Sequence, residues 1–122
     1  MKDLIWKLDN DALIRKFATI AAERGAATAD LDIGRANILF DRMKAIDAEL
    51  RRRGPLARLA MAPLLNDADR FIRYYAALYL LGLLPDQSRA IMEWNAKYGA
   101  DSLAADARMY LRSLDDGSYR PD

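Results

Sequence analysis

The sequence predicts an all-α fold of about six helices arranged as stacked antiparallel hairpins, and three observations carry that expectation. Apolar residues recur at spacings of three and four along nearly the whole chain, never at a sustained spacing of two, which argues against strands. Gly25, Gly54, Gly82, Gly99 and Gly117 follow helix-forming runs, where glycine relieves the left-handed conformation at a helix end. Pro55 and Pro85 stand where a helix could begin, since proline has no N–H to leave unsatisfied in the first turn. All 122 residues read as one helical domain: a long hairpin over 10–53, a second over 55–84, a third, degenerate one over 86–114, and a tail over 115–122.

A short N-terminal turn carries Leu4, Ile5 and Leu8, and the first long helix is expected over residues 10–24. Asp9 or Asn10 supplies its N-cap, and its apolar stripe is Leu13, Phe17, Ile20 and Ala21. In the second helix, over residues 30–53, the residues Ala36, Leu39, Met43, Ile46 and Leu50 form the seam of a helix packed at a shallow angle along its neighbour. Asn37 lies beside that seam and is expected to be a satisfied core amide that fixes register. The third helix, over 55–65, contains Pro63, which should kink or shorten it. The fourth, over 67–84, is apolar nearly all round and belongs at the centre of the fold. The fifth, over 86–98, carries Ala90, Ile91, Trp94 and Tyr98, and the sixth, over 102–114, carries Leu103, Ala107, Tyr110, Leu111 and Leu114.

A shift of 31 residues lays the sixth helix on the fourth, pairing Ala76 with Ala107, Tyr79 with Tyr110, Leu80 with Leu111 and Leu83 with Leu114. This is the trace of two stacked helical hairpins. The stretch from Asn66 to Leu80 also resembles the second helix of a HEAT repeat: an acidic turn at Asp67 or Asp69, the pair Ile72-Arg73, the small residues Ala76-Ala77, then Leu80. Small residues let such a helix pack closely, and Arg73 can bond back to the acidic turn. The second unit departs from the pattern, with Ala104 in place of the arginine and Asp106 among the small residues. The run from Asp69 to Leu84 and the ending from Leu114 to Asp122 also make the chain similar to a family of small bacterial proteins of unknown function with a HEAT-like build. That resemblance implies a fold and a bacterial source, and no activity.

Composition removes much of enzyme chemistry. There is no Cys, hence no thiolate nucleophile, disulfide or Cys-ligated metal, and no His, the commonest general base and metal ligand. Carboxylates remain, but Asp115-Asp116, Asp30 with Asp32, and Asp101 fall at helix edges, where caps explain them. Asp67-Ala68-Asp69 lacks the glycine and terminal glutamate of a calcium loop, and no two glycines lie close enough to cradle a phosphate. No catalytic residue, metal or cofactor is therefore expected. The longest uncharged apolar run, Tyr74 to Leu84, is too short for a membrane span, and the start of the chain lacks the apolar stretch of a signal peptide. The expectation is a cytoplasmic protein, monomeric or weakly dimeric.

Two clusters stand out as candidate partner sites. Arg51, Arg52, Arg53 and Arg58 gather at the end of the longest helix, where cations complement the dipole and could dock a phosphate or carboxylate. Arg70, Arg73 and Tyr74 lie at the start of the fourth helix, and Arg70 and Tyr74 share a face whose composition, if exposed, favours interfaces. The leading functional expectation is a non-catalytic protein-protein interaction module with an unidentified protein partner, of the adaptor or immunity type. The alternative is a nucleic-acid-binding helical-repeat protein using the Arg51–Arg58 cluster, which a net charge of +1 disfavours. A carboxylate-only enzyme ranks last.

Overall fold

The computed structural model describes residues 4–122; Lys2 and Asp3, which bear on the reading of the start of the chain, lie outside them. Two 3-10 turns and six helices succeed one another: a turn at Ile5–Lys7, α1 Asn10–Ala29, α2 Ile33–Arg53, α3 Pro55–Leu59, a turn at Ala62–Asn66, α4 Arg70–Leu80, α5 Pro85–Tyr98 and α6 Ser102–Asp115. The described residues form no strand. Helix α1 packs along α2, α4 lies against both α1 and α5, and α5 pairs with α6, giving the stacked all-helical arrangement expected.

Local chemistry sets the boundaries. Asp9 accepts from the Ala12 N–H at 2.8 Å, Asp32 from Arg35 at 3.2 Å, Asp69 from Phe71 at 2.8 Å, and Asp101 from Ala104 at 3.1 Å. Each carboxylate satisfies an N–H that has no partner within its helix. Gly54 at φ +114° and Gly117 at φ +80° take the backbone role that glycine permits. Pro63 acts as expected, since α3 stops at Leu59 and the chain tightens into a 3-10 turn.

The core follows the stripes. Leu13, Phe17, Ile20 and Ala21 of α1 and the whole α2 seam are buried, together with Tyr74, Tyr75, Ala76, Ala77 and Leu80 of α4. Arg73 bonds back to the acidic turn, donating to the carbonyls of Asp67 at 2.8 Å and Ala68 at 3.0 Å.

Several expectations are corrected. Helix α1 does not end at Gly25; it continues to Ala29, and Gly25 is buried where a β-carbon would collide with the Phe71 ring. The glycine there serves close packing, not termination. The left-handed residue that ends α1 is instead Leu31, at φ +58° and 83% exposed. Its N–H donates to Thr28 O and that of Asp32 to Ala27 O, a paired closure usually built on glycine. Gly82 and Gly99 also take no left-handed φ, and a β-carbon at either would meet neighbouring atoms, the Asp122 main chain and the Arg70 guanidinium respectively. Helix α4 ends at Leu80, short of residue 84. Asn37 is exposed, one residue off the seam and facing solvent.

The largest correction concerns α5. Its packed face is Ser88, Met92 and Asn95, while Ala90, Trp94 and Tyr98 point outward. A serine and an asparagine occupy the face against α4 and α6, so hydrophobicity alone selects the wrong side. Asn95 is fully used there: it donates to Ile91 O at 2.9 Å and accepts from Arg70 Nε at 2.7 Å.

Candidate functional site

Arg51, Arg52 and Arg53 at the end of α2 and Arg58 in α3 are structural ties. Arg51 Nε bonds Asp47 at 2.7 Å and its Nη1 bonds the Asp122 carboxylate at 2.8 Å. Arg52 and Arg53 converge on Glu49, at 2.6 and 2.7 Å, and the hydrogen bonds from both hold that carboxyl down at about 2. Arg53 also donates to Asn10 Oδ1 at 3.0 Å and reaches the carbonyls of Ile5 and Trp6, fastening the N-terminal turn to α2. Arg58 is buried and donates to Asp122 O at 2.7 Å and Tyr79 O at 3.3 Å. Sequence places these arginines together; it does not show that intramolecular acceptors hold each of them. Of the four side chains, that of Arg52 is 67% exposed and, among the described residues, held only by Glu49.

Arg70 and Tyr74 do share a face, but α5 and α6 cover it. Tyr74 is 1% exposed, stacked edge-on against Tyr75 at 5.5 Å, and burial pushes its hydroxyl well above the ordinary phenol range. It is a core residue and offers no surface to a partner, contrary to expectation. Arg70 reaches across to α6, pairing with both Asp101 oxygens at 2.7 and 3.0 Å. That pairing, with the Ala104 N–H, draws the Asp101 carboxyl down to about 2.

Arg73 remains at the surface. Its guanidinium is held by two main-chain carbonyls and sits on one wall of an open groove of about 410 Å³, whose other walls are Ala90, Ile91, Trp94 and Asn95. Trp94 is 48% and Tyr98 64% exposed, their ring centroids 5.6 Å apart. Arg73 is thus the one α4 residue of the expected set that the structure places beside an open apolar surface, and its neighbours Trp94 and Tyr98, apolar residues that the sequence marks on α5, are exposed. The signal lay in α5 itself: Ser88, Met92 and Asn95 form an alternative face of equal regularity.

Several other carboxylates also have partners within the fold. Asp115 pairs with Arg89 at 2.7 Å, Asp116 accepts from the Ser118 N–H at 2.8 Å, and the capping aspartates are described above. Among the described residues, no group of three or more carboxylates could hold a metal ion, and no helix is long and apolar enough to cross a membrane.

Comparison with known proteins agrees with this architecture. Residues 11–115 match a family model described as a domain of unknown function, DUF2019. The crystal structure of the protein RPA1889 from Rhodopseudomonas palustris CGA009 is similar, with a TM-score of 0.90 and 30% sequence identity, over 99% of this chain and 100% of that one. No curated protein matches the sequence.

Proposed function

The chain belongs to the DUF2019 family, domains of unknown function, and from that premise we propose that it is a non-catalytic protein-interaction module whose contact surface is the outer face of α5 with Arg73 of α4. The observation that carries this reading is the pair Trp94 and Tyr98, half to two-thirds exposed beside an open groove, on a helix whose opposite face is fully packed. Trp, Tyr and Arg are the residues that supply most interface energy, because they bury large area at small entropic cost and also donate hydrogen bonds. A role of the adaptor or immunity type, in which the domain caps a partner protein, fits such a face. The same proposal places the protein in the cytoplasm as a monomer or weak homodimer.

The nucleic-acid alternative gains nothing from the arginines, since Arg51, Arg53 and Arg58 are engaged by Asp47, Glu49, Asn10 and Asp122 and by main-chain carbonyls. A phosphate would have to displace those bonds before it gained its own. Affinity capture from the native host, run in parallel with the Trp94→Ala/Tyr98→Ala variant and with nuclease treatment, tests the proposal. A protein retained by the parent after nuclease and lost by the variant supports it. Capture that is indifferent to the variant and abolished by nuclease refutes it.

A further inference from the structure

On the other side of α4 lies a second concavity, of about 240 Å³, floored by Leu78 and Tyr79, walled by α2 and by Tyr110 of α6, and closed by the segment from Tyr119 to Asp122. Its walls are aromatic: Phe40, Tyr79, Tyr110 and Tyr119 all line it, the last two with ring centroids 5.5 Å apart. The Tyr79 hydroxyl is buried without a hydrogen-bond partner, which is costly unless something can be recruited to it.

The cations in this pocket are unevenly engaged. Asp47 and the Asp122 side-chain carboxylate both bond Arg51, at 2.7 and 2.8 Å, and buried Arg58 donates to the Asp122 main-chain oxygen. Lys44 and Arg120 also line it. Lys44 stands over the Phe40 ring at 5.5 Å, and among the described residues neither it nor Arg120 has a carboxylate within ion-pair distance. Asp106, one turn before Tyr110 on α6, does not line the pocket. A cavity of about 150 Å³ suffices for benzene, so the space here takes one aromatic ring and a small polar substituent.

We propose that this pocket is a binding site for a small aromatic carboxylate, with the ring held among Phe40, Tyr110 and Tyr119 and the carboxylate held by Lys44 and Arg120. Tyrosine walls supply edge and face contacts to a planar ring, and two cations with no carboxylate partner among the described residues select an anion over its neutral isostere. The site lies away from the α5 groove and its occupancy does not depend on the protein-interaction reading.

The test is a titration of ¹⁵N-labelled full-length protein with benzoate, benzamide and acetate, followed by amide chemical shifts. The expected result is a saturable shift for benzoate centred on Lys44, Tyr110 and the segment from Tyr119 to Asp122, with benzamide and acetate each bound at least about ten-fold more weakly. The Lys44→Gln/Arg120→Gln variant should melt like the parent, both side chains being outside the core, and should lose about ten-fold in benzoate affinity. Should that variant fail to fold, the comparison of benzoate with benzamide on the parent still decides. Benzamide binding as tightly as benzoate, shifts centred elsewhere, or no saturation at millimolar benzoate would overturn the proposal.

Discussion

Arg58 Nη1 donates to the main-chain oxygen of Asp122 at 2.7 Å, across 64 residues of sequence. That one bond, with Arg51 on the Asp122 carboxylate, ties the last described residue to the junction of α2 and α3 and makes the basic cluster a fastening. Arg58→Ala should therefore destabilise the protein by about 2 kcal/mol, since two part-buried main-chain acceptors lose a charged donor. Arg52→Ala should cost much less than Arg58→Ala, because its side chain is 67% exposed and Arg53 still holds Glu49. Urea unfolding of the two variants beside the parent measures both. Equal, small losses would mean that the cluster is not a fastening.

Gly25 and Gly34 are both helical and should respond oppositely to alanine. Gly25→Ala drives a methyl into the Phe71 ring and should cost about 1–3 kcal/mol through overpacking. Nothing lies within 4 Å of a β-carbon at Gly34, so Gly34→Ala should stabilise by about 0.5 kcal/mol through helix propensity. Thermal melts of the pair check the sign of each.

Leu31 holds a left-handed conformation that costs a β-carbon-bearing residue about 1–2 kcal/mol. Leu31→Gly removes that strain but enlarges the unfolded ensemble by about 0.4–1 kcal/mol, leaving a net gain of about 0.5 kcal/mol. No core packing opposes it, the side chain being 83% exposed. A lower denaturation midpoint for Leu31→Gly would contradict this account of the α1–α2 turn.

Acid should loosen the molecule through two carboxylates. Glu49 falls from an ordinary 4.5 to about 2, and Asp101 from 3.8 to about 2, so the folded state binds fewer protons than the unfolded one between those values. Their stabilising contribution is complete above about pH 4.5 and is lost as the pH falls toward about 2. Burial shifts Asp47 the other way, so that group favours the folded state as the pH falls. Asp101→Asn keeps the α6 cap but abolishes the charge opposite Arg70, and the decline of melting temperature below pH 3.8 should become shallower. An unchanged acid limb would show that the Arg70–Asp101 pair contributes nothing.

The legible parts of the fold are those governed by period and local chemistry. The α2 seam from Ala36 to Leu50 steps in threes and fours and is buried throughout, and Pro63 breaks the helix it was expected to break. Misreadings arise where long-range packing outweighs local signals. Gly25 reads as a terminator because the Phe71 ring that needs its space lies far along the chain. Trp94 and Tyr98 dominate the apolar signal of α5 because their size outweighs Ser88 and Asn95, yet Arg70 supplies the polar partner that lets Asn95 be buried in their place. Tyr74 fails in the opposite sense: pairing with Arg70 makes it look like surface, and only the position of α5 and α6 reveals that the shared face is covered.

The central claim, that the outer face of α5 and not the basic end of α2 meets a partner, is tested most directly by photo-crosslinking in the native host from a benzoyl-phenylalanine placed at Tyr98 or, separately, at Arg52. Position 98 should yield a discrete, nuclease-resistant protein adduct that disappears when Ala90→Arg blocks the groove, and position 52 should yield none. A nuclease-sensitive adduct from position 52, with position 98 silent, would contradict the claim.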